Sequence, residues 1–399
     1  MMKPIFQRAI PIIEKLEEAG YEAYFVGGAV RDLLIGREIA DVDIATSATP
    51  IEMKAIFSKT VDVGIEHGTI LILLKGEAYE VTTYRAESTY SDFRRPDEVR
   101  FIRHLKEDLQ RRDFTMNSIA MDKNGELIDP FAGREAIKNR EIKTVGSSEE
   151  RFNEDALRMM RALRLKSQLG FLLEEGTYDA LKKKVHLLQH VAVERKLVEF
   201  NKLLQGDYRV DALTLLQDSN LHHYLPMLSQ KEKGLNQLVT YPLQSLSLLE
   251  IWVLLLKVFQ LNEHEAKIGL KEWKMSSKDM KEILNLYQWF QKRLSTPFQA
   301  TTIYQSGLSV AVSAEKLHQV YNHERVEYPD HLVEMYSKLA ITSRKQLAVN
   351  GNDIITWSQQ SAGPWLKELL AKVEEAIILG ELQNNKEDIR EWLFQWNQK

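Results

Sequence analysis

Strand-like sequence in this chain is confined to its first third. Up to about residue 135, short runs rich in β-branched and aromatic residues recur between turn signals: "YEAYFV", "DVDIAT", "TILILL", "AYEVTTYR", "EVRFI", "NSIAMD" and "ELIDPF". One helix precedes them, where apolar period-four spacing in "IFQRAIPIIEKLEEAG" runs up to Gly20. Beyond "DPFAG" almost every segment has helical periodicity, punctuated by Gly170, Gly176 and "NGND". There is no internal repeat and no low-complexity tract. The pattern predicts an α+β chain, a small sheet-containing head followed by a long all-helical remainder. At 399 residues it is too long for one compact core and calls for two to four domains.

The formal net charge of −4 gives the chain as a whole no attraction for nucleic acid, so any such binding needs a local basic surface. The absence of cysteine excludes disulfides, thiolate nucleophiles and cysteine-ligated zinc, and it fits a reducing cytoplasm. The N-terminal "MMKPIFQRAIPIIEKLEEAG" is interrupted by charges and has no signal-peptide apolar core. The most apolar later stretch, "SLSLLEIWVLLLKVFQL", carries Glu250 and Lys257, is too short to span a bilayer and reads as a buried helix. A soluble, cytoplasmic protein with no membrane partner is expected.

"YFVGGAVRDLLIG" reads as a strand, a tight Gly27-Gly28 turn and a helix beginning near Ala29. Free backbone N–H groups at such a turn, with the positive end of the helix dipole, cradle phosphate. Arg31, in the first helical turn, can reach the same anion. Paired glycines also occur simply as turns. "IADVDIAT" follows, and period two in a strand puts the Asp41 and Asp43 carboxylates on one face, Val42 and Ile44 on the other. Adjacent carboxylates repel unless a cation lies between them, and hard oxygen ligands suit Mg²⁺. Alone the pair could be a solvated strand face; after a phosphate-cradling turn it describes a metal–nucleotide site.

This order of apolar-Gly-Gly, spacer and Asp-x-Asp resembles the nucleotidyltransferase superfamily that includes DNA polymerase β-like enzymes. The resemblance implies that Asp41 and Asp43 are catalytic and hold Mg²⁺ ions, one lowering the pKa of an attacking hydroxyl and one clamping a triphosphate. A third carboxylate often joins them from a neighbouring strand, and Glu80 in "YEVTTYR" is the candidate.

"RRDFTMNSIA" comes next, with Arg111 and Arg112 beside Asp113. A carboxylate accepts from ribose hydroxyls and an arginine pairs with phosphate or base. The whole string resembles the ribose-recognising motif of the class II tRNA nucleotidyltransferases, the CCA-adding enzymes of bacteria and eukaryotes. Further family features follow in order. "YRAESTYSDFRRPDEVRF", ending in the Arg95-Pro96 pair, resembles the flexible loop; "IDPFAG" resembles the head-to-neck hinge; "EDALRMMRALR" resembles the nucleotide-selecting motif. "LAVNGNDI" and "AGPWLKELL" are similar to the tail of Bacillus-type members. The resemblance implies a nucleotidyltransferase-type mixed-sheet head at 1–140, then an elongated helical neck at 141–205, body at 206–305 and tail at 306–399. It also implies CTP, ATP and tRNA as partners, the helical parts holding the acceptor stem and elbow. The hinge departs from the family pattern, since Ala132 stands where a glycine is more usual and restricts φ there.

In "RFNEDALRMMRALRLK", residues 151–166, a continuous helix gathers Ala156, Met159, Met160 and Leu163 on one face. Glu154, Asp155, Arg158, Arg161 and Arg164 take the other. Glu154 with Arg158 and Asp155 with Arg158 have salt-bridge spacing, so an ordinary charged surface accounts for the pattern. Base chemistry offers a second account. Cytosine and adenine both present an amino donor beside an acceptor ring nitrogen, and uracil and guanine present the reverse. A carboxylate beside a guanidinium matches the first pair and leaves buried groups unpaired against the second. The resemblance gives Asp155 and Arg158 that selecting role, with Arg161 and Arg164 on the nucleotide and phosphate side.

The activity implied is template-independent addition of C, C and A to the tRNA 3′ end. A bacterial poly(A) polymerase, a CC-adding relative and a non-catalytic tRNA-binding descendant are the alternatives. Those polymerases tend to have strongly basic C-terminal extensions, unlike "NNKEDIREWLFQWNQK". None of the ten histidines is followed by aspartate, which argues against a phosphohydrolase domain.

Overall fold

In the computed structural model the described residues are 2–87 and 99–396. Part of the expected flexible loop at 84–100, including Arg95 and Pro96, lies outside them. The chain forms two compact units. One runs to Glu232 and takes in Glu272–Lys274; the other comprises Lys233–Lys271 and the chain from Met275 onward.

The first unit opens with α1 (Pro4–Glu18), which has Pro at its start and buries Phe6, Ala9, Ile12, Ile13 and Leu16. Nine strands follow: β1 (Ala23–Val26), β2 (Asp43–Thr46), β3 (Thr60–Gly64), β4 (Thr69–Leu74), β5 (Glu77–Thr83), β6 (Arg85–Glu87), β7 (Val99–Phe101), β8 (Ala120–Met121) and β9 (Leu127–Ile128). Seven of them make one mixed sheet in the order β3-β4-β5-β2-β1-β8-β9, and β6 pairs with β7 separately. Only β2 and β5 run parallel; the other neighbours in the large sheet are antiparallel.

Period two sorts the sheet's residues. Phe25, Ile44, Ile70, Ile72 and Val81 join the α1 residues in one apolar cluster. Val26, Ala45 and Ala120 face the other way, in a cluster with Tyr84, Leu105 and Leu109. Asp43 pairs with Val26 and shares the parity of Ala45, so it stands on this second face, away from α1. Glu80 and Thr82 have the same parity through the pairing of Ala45 with Thr82.

The helices that matter for the site are α2 (Gly28–Leu34), α3 (Pro50–Ile56), α4 (Leu105–Gln110), α5 (Gly133–Asn139), α6 (Ser148–Glu154), α7 (Leu157–Leu169), α8 (Glu175–Lys184), α9 (Val193–Gln205) and α10 (Arg209–Asp218). α7 packs on both α9 and α10. The second unit is helical, and Leu248–Val258 at its core buries Ile251, Trp252, Val253, Leu254, Leu255 and Leu256. Glu250 is tolerated there because it completes a capping box with Ser247 and pairs with Lys316 at 3.1 Å. Near the C-terminus, Ile341, Val349, Ile354, Val373, Ile377, Ile389 and Leu393 form a separate apolar cluster.

The α+β organisation is the one read from the sequence. Three local readings change. β3 was not expected: it is an edge strand whose valines, Val61 and Val63, point into solvent, so it shows no hydrophobic alternation against a core. A two-residue parallel pair, Glu141–Ile142 with Leu172–Leu173, interrupts the region read as all-helical. The helix expected across 151–166 is two helices. Asp155 sits between α6 and α7 in an extended conformation (φ −136°, ψ 102°), and its carboxylate accepts from the Leu157 amide at 3.0 Å. Aspartate competes for backbone amides in this way, which is why it ends or begins helices more readily than it continues them.

Candidate active site

A cleft of about 860 Å³ in the first unit gathers residues from the sheet face opposite α1 and from α2, α7 and α9. Gly27, Gly28, Asp43, Glu80 and Thr82 line it from the sheet side. Arg31, Arg112, Asp113 and Asn117 come next, with Asp155 from the junction of α6 and α7, and Arg158, Arg161, Arg164, Arg195 and Lys202 from α7 and α9. Nine lysines and arginines line it against four carboxylates, although the chain as a whole is acidic. A cleft with that imbalance attracts a polyanion.

The glycine turn has a geometric reason. Gly27 adopts φ +73°, ψ −139°, and a Cβ there would stand 3.4 Å from Arg112 Nη1 and 3.7 Å from Asp43 Oδ2. α2 begins at Gly28, one residue earlier than the sequence indicated. Arg31 is 9% exposed; it donates to Asn117 Oδ1 at 2.7 Å and to Asp32 Oδ1 at 3.0 Å, which fixes its guanidinium at the cleft.

The two aspartates do not share a strand. β2 starts at Asp43, and Asp41 lies before it, exposed and outside the cleft lining. Asp43 keeps surface open to solvent, but desolvation by the cleft around it, the Glu80 carboxylate and then the Asp41 carboxylate push its carboxyl up to about 6, with Arg112 pulling the other way. The oxygens of Asp41, Asp43 and Glu80 do not all fall within 4.8 Å of one another. The donor set nevertheless fits a hard divalent cation, being all carboxylate oxygen and mutually repulsive without positive charge between.

Asp113 is 7% exposed and its Oδ1 accepts from the Phe114 amide at 2.8 Å and Asn117 Nδ2 at 3.2 Å. Arg161 binds Oδ2 at 2.6–2.7 Å. Burial alone would raise this carboxyl, but the Arg161 guanidinium and these hydrogen bonds outweigh it and hold it well below the usual carboxylate range. Arg111 and Arg112 are held by a residue the sequence reading passed over. Asp108, 1% exposed on α4, accepts from Arg111 Nη2 at 2.7 Å, Arg112 Nη2 at 3.0 Å and the Arg85 amide at 3.3 Å. The signal was present: an acid three and four residues ahead of two arginines at a helix end.

On the helical side Arg158 is 6% exposed. It pairs with Glu154 at 2.5 Å, as the spacing predicted, and donates to the carbonyls of Arg151 (3.1 Å) and Arg111 (2.9 Å). The Asp155 carboxylate takes Arg195 as its partner at 2.8 Å. Arg195 lines the cleft and is the second residue missed, since no local signal connects positions 40 residues apart. Arg164 pairs with Glu199 at 3.3 Å. Met159, Met160 and Leu163 are fully buried behind this array, on the face their helical spacing assigns to packing.

The comparisons with known proteins bear on the family. Residues 23–143 match the family described as the Poly A polymerase head domain, 170–231 a probable RNA- and SrmB-binding site of polymerase A, and 245–393 a putative tRNA nucleotidyltransferase domain 2. The CCA-adding enzyme of Bacillus cytotoxicus is 47% identical over 394 residues, 98% of this chain and 99% of that protein. This chain belongs to the CCA-adding enzymes. The Bacillus cereus CCA-adding enzyme is 46% identical over 397 residues, 98% of this chain and 99% of its own. A crystal structure of the Bacillus stearothermophilus CCA-adding enzyme in complex with CTP superposes with a TM-score of 0.92. It is 44% identical and covers 100% of this chain and 98% of that one. CCA-adding enzymes are nucleotidyltransferases that depend on divalent metal, so the protein is an enzyme of that class. The match to a poly(A) polymerase head covers only residues 23–143, whereas the CCA-adding relatives match nearly end to end. Among the described residues no helix is long and apolar enough to cross a membrane.

Proposed function

We propose that this chain adds C, C and A to the 3′ end of tRNA, taking CTP and ATP in the one cleft and reading them with protein side chains alone. The observation that carries the reading is that the Asp43 and Glu80 carboxylates line the same basic cavity as the Asp155 carboxylate and the Arg158 guanidinium. Asp41 and Asp43, with Glu80 beside them, would hold Mg²⁺, and the positive charge of the bound ion would lower the pKa of the tRNA 3′-hydroxyl and offset the charge of the triphosphate.

The chain's own groups do the rest. Gly27 and Gly28 allow backbone to approach the triphosphate, and Arg31 adds a fixed charge. Arg112 and Asp113 take the sugar side. Arg112 and Arg164 each have a buried Nε without a protein partner among the described residues, so both retain donor capacity for an anion. Arg161 is oriented by Asp113. The Asp155 carboxylate is aimed by Arg195 and the Leu157 amide, and a carboxylate with about four lone-pair sites can still accept the amino group of C or A. Arg158, braced by the carbonyls of Arg151 and Arg111, donates to the neighbouring ring nitrogen.

We assign 1–140 as head, 141–205 as neck, 206–305 as body and 306–399 as tail, the helical parts receiving the acceptor stem and elbow by shape and phosphate contacts. The absence of cysteine fits work in the cytoplasm. The test is product sequencing. A tRNA ending at its discriminator base, incubated with Mg²⁺, CTP and ATP, should acquire CCA and stop. A long A tail, or arrest at CC with both nucleotides present, would exclude this activity.

A further inference from the structure

Outside the cleft, one cluster of metal-ligating side chains closes on a point. Leu221–Tyr224 forms a single 3₁₀ turn, and Glu232 opens the helix Glu232–Leu238. The ligand atoms of His222, His223 and Glu232 all lie within 4.8 Å of one another. All three residues belong to the first compact unit, of which Glu232 is the last residue before the second begins. None has a part in the nucleotidyl transfer proposed above.

The tautomer of His222 gives the cluster its meaning. This ring is 2% exposed, with Nδ1 at 3.4 Å from the Leu216 carbonyl and Nε2 at 3.3 Å from Glu232 Oε1. A carbonyl only accepts, so Nδ1 carries the proton and, in the neutral ring, Nε2 presents its lone pair to a carboxylate oxygen. Two acceptors then face each other, and either a proton on Nε2 or a metal ion must lie between them. A histidine fixed by Nδ1–H to a backbone carbonyl is the usual arrangement behind a metal-bound Nε2. His223 adds its Nδ1 at 3.9 Å from the same Oε1, and the two imidazole rings lie 4.0 Å apart. Protonating both rings would put two positive charges face to face, whereas one divalent ion satisfies both nitrogens and the carboxylate together.

The spacing agrees. Two ligands each ~2.0–2.1 Å from a tetrahedral ion stand roughly 3.3 Å apart. The His222–Glu232 separation already has that value, and His223 Nδ1, 3.9 Å from the same oxygen, would have to close by about 0.6 Å, a rotation open to an exposed side chain. Gln217 Nε2 donates to the Glu232 carbonyl at 3.2 Å and holds the start of that helix in place.

We infer that His222, His223 and Glu232 form a second metal site, separate from the reaction, for a divalent transition-metal ion of the zinc class. Two imidazoles and one carboxylate prefer such an ion to Mg²⁺ and leave a fourth position for water. The ion ties the 221–224 turn to residue 232 and so clamps the end of the first unit.

The full-length protein, kept in excess Mg²⁺ to fill the carboxylate site, is titrated with Co²⁺ and followed by visible d–d absorption. One equivalent should bind with histidine-type bands. H223Q and E232Q, both at solvent-exposed positions, should each weaken binding at least about tenfold while CCA addition continues unchanged. H222Q replaces a buried ring and is read only alongside these two. H331Q, at an exposed histidine of the second unit, should bind as wild type. Absence of bound Co²⁺ would overturn the inference, as would affinity unchanged in both H223Q and E232Q. So would loss of the signal in a D41A/D43A protein, which would place the ion in the cleft.

Discussion

Replacing Ala132 by glycine should tighten the corner at which the sheet-containing region ends. Ala132 adopts φ +56°, ψ +36°, the left-handed region, as the cap of α5. That conformation costs an L-residue roughly 1–2 kcal/mol because Cβ crowds the following carbonyl. The side chain is exposed, so its methyl returns little in packing. Glycine removes the clash but gives the unfolded chain more freedom, worth about 0.4–1 kcal/mol against folding. The difference leaves A132G more stable by about 0.5–1 kcal/mol. A two-unit chain need not unfold in one step, so the readout should be local. Hydrogen exchange of the α5 amides serves, beginning with Ala136, which donates to the Ala132 carbonyl at 3.1 Å. Exchange should slow roughly two- to fivefold in A132G. Faster exchange would mean that the left-handed strain is absent and would refute the reasoning. Gly133 is the opposite case: a Cβ there would lie 2.3 Å from the Thr115 carbonyl oxygen, so G133A should accelerate the same amides.

Two further outcomes follow from buried and capping charges. D108A leaves Arg111, Arg112 and the Arg85 amide without their shared acceptor, and should cost about 1–3 kcal/mol of stability as well as nucleotide affinity. Thermal unfolding with and without CTP measures both, and an unchanged melting temperature would show that Asp108 is not the hub. Glu52 is held at about 2 by the Arg103 hydrogen bond, against the opposing effect of burial, and by the Thr49 cap. A depressed folded-state value means its stabilising effect is complete above the ordinary glutamate range and fades as pH falls from about 4.5 towards 2. The wild-type advantage over E52Q in urea should therefore be present at neutral pH and close across that acidic window; a constant gap would contradict it.

What could be read in advance follows from the range of each interaction. The cleft residues on short motifs, Gly27 and Gly28 with Arg31, Asp43, and Arg112 with Asp113, were legible because turn chemistry, strand parity and charge spacing are local. The packing face of Met159, Met160 and Leu163 was legible for the same reason. The break at Asp155 was not, because helical periodicity continues through it and only the cap geometry reveals the change of direction. Arg195 was invisible because its bond to Asp155 joins two helices. Asp108 could have been found from its spacing to Arg111 and Arg112. Ala132 was noticed as a departure from a glycine, but that it stands in a left-handed conformation required the backbone.

The selecting role of Asp155 is the claim on which the rest of the account depends. Single-turnover incorporation of CTP, ATP, UTP and GTP, compared between wild type and D155A on the same tRNA primer, measures it directly. In D155A the preference for C and A over U and G should fall by at least about 100-fold, since a carboxylate matched to an amino donor sets discriminations of that order. A D155A enzyme that still incorporates C and A and rejects U and G as strictly as wild type would contradict it.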